Sequence, residues 1–377
     1  MIQLSEKEQC FYDKFLELKR QAGSHSPSIF KLLKDFPEVS VKVDACFLCN
    51  PYAFDLFYEH LQKTDLQKYI KFYPPQNHEV AANIAKWRGI PAERILVGNG
   101  AIEIIETLMG NLKDVSVVLP LPTFSTYYEA VNREVVKLHP YYLTPENQYR
   151  LNIENYLEFV KKVSADVIIL VNPNNPTGTL VSRKDVIIFH QSLAPWQTLI
   201  VDESFIDFAS EETSIEKYAI EQQNIIIIRS LSKDFGIAGL RLGYGVLPAE
   251  DILNMLSKSF LWNSNGIAYF FTELLADKKF QKKYEKAKND YNAARDSFYQ
   301  ELLDLGLDVI PSQANFFMIK TPGEPGPYFT KLLYAHGIYT RILNDKWGLD
   351  GGYIRIASKD RRENRQMLHA IRQIWQR

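Results

Sequence analysis

The sequence predicts an α/β fold, with a mostly parallel central sheet in a large domain and a smaller α+β domain at the C-terminal end. Three observations carry this. Short apolar runs recur through the middle of the chain: "RILVGNG" (94–100), "VSVVLPLP" (115–122), "DVIILVNPNNPTG" (166–178), "TLIVDESF" (198–205), "NIIIIRSLSK" (224–233) and "LGYGVLP" (242–248). Strands buried on both faces, as in a parallel sheet covered by helices, need such uninterrupted runs. Helical patterns such as "AIEIIETLMGNL" and "SRKDVIIFHQSL" separate several of them, which is the alternation of α/β architecture. Finally, the runs end in Gly-Asn-Gly, Pro-Asn-Asn-Pro-Thr-Gly, Asp-Glu-Ser and Ser-Leu-Ser-Lys. Open α/β sheets bind ligands outside the carboxyl ends of their strands, so four polar strand ends point to one site.

Taken in order, residues 1–45 form an N-terminal arm and part of the small domain. They read as a helix from Glu6 to Gln21, a loop through "AGSHSPS" and a short second helix. Residues 46–262 form the large domain and 263–377 the small one. The latter opens with a charged helical region, "DKKFQKKYEKAKNDYNAARDSFYQELLDLG", whose lysines read as a solvated face. The runs "NFFMIK", "GIYTRIL" and "YIRIAS" follow as strands, and a terminal helix closes the chain.

With 377 residues, 46% hydrophobic and 24% charged, the chain can build sizeable cores. Lys and Arg total 44 against 45 Asp and Glu. That balance argues against a nucleic-acid or membrane-surface partner, which calls for a basic excess. No apolar run approaches the length of a membrane span, and "MIQLSEKEQCFYDKF" is too charged for a secretory signal, so a cytoplasmic protein is expected. Three cysteines make no disulfide framework. Cys46 and Cys49 form a CxxC, but zinc needs four ligands and a redox pair belongs at a helix start. Two small apolar residues in a strand is the simpler reading, and no metal is expected.

The stretch "SLSKDFGIAGLRLGY" (230–244) carries the chemistry. Ser230, Ser232 and Arg241 offer hydroxyl donors and a guanidinium fork suited to a phosphate. "GNGA" adds Gly100 and Ala101, where a helix begins at about Ile102, and helix N-termini bind anions. At the edge of this cradle sits Lys233, a nucleophile if its amine is desolvated. Asp202 ends a buried strand, and a buried carboxylate needs a cationic partner. A protonated pyridine nitrogen would serve, with the ring as electron sink. Asn175 could donate to a phenolate oxygen, and Phe124 could stack on a flat ring. Together these describe a site for pyridoxal 5′-phosphate (PLP).

The motifs "SLSKDFGIAGLRLGY", "NPNNPTG", "VDESFIDF", "YPPQNHEVAANIAKWRGIPAERILVGNGAIE" and "RIL…YIRIA" resemble those of the class I/II aminotransferases of PLP fold type I. The likeness is to histidinol-phosphate aminotransferases and threonine-phosphate decarboxylases, and it runs from Tyr73 to Ala357. It implies Lys233 as the Schiff-base lysine, Asp202 on the pyridine nitrogen and Asn175 beside the ring oxygen O3′. It further implies Ser230, Ser232, Arg241, Gly100 and Ala101 around the cofactor phosphate, and Phe124 against the ring. Tyr73 would reach a neighbouring subunit's site, implying a homodimer. Arg355 would fork the substrate α-carboxylate, and Arg341 would hold a distal phosphate. Asn50, retained in "LCNPYAF", is carried over as a substrate contact, although the rest of that family stretch differs. Phe205 stands where many transaminases carry a tyrosine, a form shared with the decarboxylases. The loop around His25 reads either as a substrate-closing arm or as an exposed loop.

The implied activity is transamination of a small, doubly anionic amino acid or amine. Decarboxylation of a phosphorylated amino acid is the alternative. A PLP-domain regulator is a remoter one, since such proteins add a DNA-binding domain and 45 residues are too few. A nucleotide-binding protein would need GxGxxG or a P-loop, and "GNGAIE" is neither.

Overall fold

The computed structural model describes residues 2–209, 213–258, 262–349 and 351–375. Among these residues twelve strands follow in chain order: β1 (Val43–Asp44), β2 (Ile95–Gly98), β3 (Val115–Leu121), β4 (Val136–Tyr142), β5 (Val167–Val171), β6 (Thr198–Asp202), β7 (Ile225–Ser230), β8 (Gly243–Val246), β9 (Phe316–Lys320), β10 (Ile338–Tyr339), β11 (Arg341–Ile342) and β12 (Tyr353–Ala357). Seven of these form one sheet in the order β2-β8-β7-β6-β5-β3-β4. Every neighbour pair is parallel except those of β8, which runs against both β2 and β7. The reversal has a local cause. Between β7 and β8 lie only the short helix Leu231–Asp234 and the turn Ala238–Leu240. No helix crosses a face of the sheet there, as a parallel return requires, so the chain curls over the strand ends and turns back.

All six predicted runs of the large sheet are strands. β4 was not anticipated. Its sequence, "VKLHPYY", lacks an apolar run because it is an edge strand, mostly half-buried, where a proline is tolerated. The sheet is packed on both faces. Val97, Ile168, Leu170, Val201 and Ile227 point into one apolar cluster, and Leu96, Ile169, Ile200 and Ile228 into the other. Ile227 is fully buried, and its truncation to alanine would cost about 2–5 kcal/mol.

The C-terminal strands form a separate three-stranded antiparallel sheet, β11-β12-β9. The run "GIYTRIL" is one strand in the sequence reading but two in the structure. β10 pairs in parallel with β1, and β11 joins β12. The expected first helix, Glu6–Gln21, starts with a capping box between Ser5 and Glu8. Its Phe11, Phe15 and Leu18 pack against Phe329 and Tyr339. Cys46 and Cys49 are not in a strand. They lie in the irregular stretch between β1 and the helix Pro51–Gln62, Cys46 buried and Cys49 half-buried. Among the described residues no helix is long and apolar enough to cross a membrane.

Candidate active site

The carboxyl ends of β3, β5, β6 and β7, the start of the helix Ala101–Gly110 and residues of the three-stranded sheet enclose a cavity of about 270 Å³. Lys233 opens onto it from the helix immediately after β7. Its carbonyl accepts the Asn50 N–H at 2.9 Å, which ties this turn to the N-terminal segment. Burial lowers the pKa of the Lys233 amine, and Arg355 and Arg241 lower it further, while Cys49 and Asp202 oppose them. A deprotonated, nucleophilic amine is thereby favoured.

One end of the cavity suits a phosphate. Gly100 precedes the helix Ala101–Gly110 with φ +82°, and no side chain caps that helix. Its first N–H groups therefore remain for an anion. A Cβ at Gly100 would lie 2.5 Å from Arg241 Nη2, so only glycine lets the guanidinium lie over the helix start. Arg241 Nη1 donates to the Ala238 carbonyl at 2.9 Å. Ser230 and Ser232 line the same cavity.

In the middle, Asp202 is buried at the end of β6. Its Oδ2 accepts from the Tyr127 hydroxyl at 3.0 Å and its Oδ1 from the Ser204 N–H at 2.8 Å. Burial raises its pKa, against the opposing pull of these bonds and of Lys233. Phe124 forms part of the wall, with its ring 5.9 Å from that of His25. Asn175 Oδ1 accepts from Arg355 Nη1 at 2.7 Å, which leaves Nδ2 as its donor.

At the far end, Arg341 and Arg355 are directly opposed in the antiparallel register of β11 and β12. Opposed residues share a sheet face, and like charges so placed repel. Arg355 Nη2 donates to the Cys46 carbonyl at 3.0 Å, and its Nε, buried, has no hydrogen-bond partner among the described residues. Burial lowers the pKa of this arginine to about 10. Arg341 Nη2 reaches Asp345 Oδ2 at 2.6 Å and the Ser24 carbonyl at 2.7 Å. Lys346, also in the wall, donates to Ser125 Oγ at 3.0 Å. Its pKa is lowered to about 7, by burial first and Arg341 second.

Three residues expected in the site do not line the cavity. Gly100 acts behind it, through the close approach of Arg241. The Asn50 side chain is taken up as a helix cap, with Oδ1 accepting from the Tyr52 and Ala53 N–H groups at 3.0 and 3.4 Å. Tyr73 is 83% exposed, its ring 5.2 Å from that of Trp262. The arm around His25 does cover the cavity: Ser24, His25 and Ser26 are part of its wall. Tyr127 and Lys346 were missed by sequence reasoning. Tyr127 sits inside a motif singled out for Phe124, but "NDKWG" around Lys346 carries no signal that separates it from a surface loop.

These features fit one known cofactor. The chain belongs to the aminotransferase class I and II family. The family model matches residues 50–371. PLP is the cofactor, and the residues present accommodate it. The uncapped helix start and Arg241 would hold its phosphate. The buried carboxylate of Asp202, pushed up by burial, calls for the cation that a protonated ring nitrogen supplies. Lys233 opens onto the same cavity as both. Among relatives, the L-serine phosphate decarboxylase of Campylobacter jejuni is 38% identical over 98% of each chain. The histidinol-phosphate aminotransferase of Methanococcus aeolicus is 30% identical over 80% of this chain and 82% of that one. The solved structure of a decarboxylase from Sulfurospirillum multivorans superposes with a TM-score of 0.92 at 37% identity, covering 98% of this chain and 97% of that one.

Proposed function

We propose that this enzyme decarboxylates a short phosphorylated amino acid, with L-serine O-phosphate as the substrate class. The observation that carries the proposal is the far end of the cavity, where Arg355, Arg341 and Lys346 converge. Three cationic side chains against one adjoining carboxylate, Asp345, suit a substrate with two anionic groups. At about 270 Å³ the cavity is below the usual range of roughly 300–1,000 Å³ for small-molecule sites. It has to hold cofactor and substrate together, which favours a short substrate over one with an added ring. The full-length relatedness to a serine phosphate decarboxylase supports the same choice. Phe205 does too, since it presents a ring rather than a hydroxyl to the cavity. Transamination, the activity placed first from sequence, becomes the second reading.

The chemistry divides among the residues as follows. PLP, when bound, supplies an electron sink for the pair left at the substrate Cα. Lys233 anchors the cofactor and carries the proton. Asp202, fixed by Tyr127 and Ser204, would keep the ring nitrogen protonated, and Asn175 Nδ2 would donate to the ring oxygen. Arg355 forks the α-carboxylate, while Arg341 and Lys346 hold the phosphate. Held at both ends, the substrate would have a fixed orientation about Cα, and that orientation selects the bond that breaks. When that bond is Cα–carboxylate, CO₂ leaves, the electron pair stays, and one proton delivered from Lys233 Nζ to Cα completes an amine phosphate. The exposure of Tyr73 supports its serving a second copy of the chain, in a homodimer.

The test is a product assay on holoenzyme given L-serine O-phosphate without any keto acid. Sustained release of CO₂ with one ethanolamine phosphate per CO₂ is expected. Turnover that demands a keto acid and yields no CO₂ would make the enzyme an aminotransferase.

A further inference from the structure

One carboxylate, Asp345, holds Arg341 in place at the far end of the cavity. Asp345 Oδ2 receives Arg341 Nη2 at 2.6 Å and Lys19 Nζ at 2.8 Å. Lys19 lies in the last turn of the helix Glu6–Gln21 and is buried, 8% exposed, although it does not line the cavity. A lysine buried at that position is expensive unless paired. The same Arg341 nitrogen also donates to the Ser24 carbonyl at 2.7 Å. Ser24 Oγ lies 2.7 Å from both Ser125 Oγ and Glu129 Oε2, and Ser125 Oγ accepts from Lys346. Beyond the arm, the Tyr339 hydroxyl donates to the Pro27 carbonyl at 2.8 Å. One bonded chain thus runs from the first helix through Asp345 to Arg341, and from there to the arm and Lys346.

On the reading of the site as a phosphoamino acid pocket, we infer that Asp345 is its positioning and specificity-determining residue. By joining Lys19 to Arg341 it fixes the guanidinium and fastens the Ser24–Ser26 arm over the phosphate subsite.

The charged groups around Arg341 are Lys19, Lys346, Arg355 and His25 on one side of the balance and Asp345 on the other, while Glu129 acts on Lys346 and His25. Without Asp345, Arg341 would face Lys19, Lys346 and Arg355 with no carboxylate beside it, and its guanidinium would move away from them. Removing that negative charge does not simply free a cation for phosphate, because Asp345, with Glu129, also supports the proton on Lys346. When the carboxylate goes, that proton becomes easier to lose. What remains is a misplaced guanidinium and an unfastened arm.

The experiment compares holoenzyme variants Asp345→Asn, Lys19→Met, their combination, Asp345→Glu and Arg341→Ala. For Asp345→Asn, KM for L-serine O-phosphate should rise about tenfold, the worth of one partly lost charge-assisted hydrogen bond, with kcat changed far less. Inorganic phosphate should inhibit it correspondingly more weakly. The alkaline fall in kcat/KM should move to lower pH. Lys19→Met should act in the same direction and more weakly, and the combination should be no worse than Asp345→Asn alone, because both break one chain. Asp345→Glu should recover part of the affinity. Additive losses, a fall in kcat with KM unchanged, or wild-type behaviour in both single variants would overturn the inference. If Asp345→Asn does not fold, Lys19→Met decides by the same KM and phosphate readouts. Arg341→Ala separates the two levels. If it abolishes the preference for phosphorylated substrate while the Asp345 variants behave as wild type, only the positioning role fails. If it leaves that preference intact, the reading of the pocket fails.

Discussion

Two regions of this molecule bury charged side chains, and they treat them in opposite ways. Behind the sheet, Arg229 of β7 reaches Glu203 at 3.0 Å and pairs with Asp207, while Arg88 pairs with Glu216 at 2.6 Å. The Tyr244 hydroxyl donates to Glu216 at 2.6 Å. Here each guanidinium has carboxylate partners, and the network is closed. In the cavity, Lys233, Arg241, Arg355 and Lys346 have no carboxylate in their direct hydrogen bonds or ion pairs among the described residues, and Arg341 shares one carboxylate with Lys19. Buried charge is tolerated where its partners are protein groups, and then its role is structural. Where the partners are missing, the protein keeps a cation in a poor environment for an anion that arrives later. Charge alone does not mark a site; uncompensated charge opening into a cavity does.

The largest effect should come from breaking the closed network. Arg229→Leu leaves the buried Glu203 and the half-buried Asp207 without their shared counter-ion and should destabilise the fold by about 3–5 kcal/mol. Thermal unfolding of the holoenzyme would measure it, and a Tm near that of the wild type would mean the pairing is not needed.

The matching change in the cavity, Lys346→Met, should leave Tm unchanged or raise it, since it removes a cation held in a poor environment. Its effect should fall on turnover instead. A fall of roughly 10–100-fold in kcat/KM for L-serine O-phosphate is expected, as for one lost charge-assisted hydrogen bond of about 1.5–3 kcal/mol. The pH profile sharpens this. The Lys346 amine, lowered to about 7, is charged below that pH and neutral above it. Wild-type kcat/KM should therefore decline as pH rises through about 7, and Lys346→Met should lack that limb. An unchanged limb would assign it to another group.

The smallest change is Phe205→Tyr, which adds one hydroxyl to the cavity wall. If that hydroxyl reaches the ring oxygen, it stabilises the oxygen as an anion. The pH at which the bound cofactor changes its visible absorbance should then fall. An unmoved spectrum would place residue 205 away from that oxygen.

The difference between the two regions also sets what the sequence could reveal. The central strands were legible because burial on both faces forces uninterrupted apolar runs, as in "NIIIIR". The edge strand β4 was not, because one open edge relaxes that demand. Lys233, Asp202, Asn175 and Arg241 were legible as candidates because each lies at a strand end or in a turn beside one, where only a few residue types suit the chemistry. Asn50, carried over as a substrate contact, does not line the cavity; its Oδ1 caps a helix, and its buried Nδ2 has no hydrogen-bond partner among the described residues. Lys346 and Asp345 were invisible because their roles arise only when a loop of the C-terminal sheet folds back beside the N-terminal arm. Lys19 gave no signal for a related reason. On its helix it reads as one more exposed lysine, and only the packing of that helix against Phe329 and Tyr339 buries it.

The central claim is that Lys346, which has no carboxylate partner among the described residues, and Arg341, which shares one with Lys19, await a substrate phosphate. The most direct measurement is the ratio of kcat/KM for L-serine O-phosphate to that for L-serine on the wild-type holoenzyme. Charge-assisted contacts from Arg341 and Lys346, each worth about 1.5–3 kcal/mol, predict a ratio of roughly 10²–10⁴ in favour of the phosphate ester. A ratio near one would contradict the account, because Arg341 and Lys346 would then have no part in recognising the substrate.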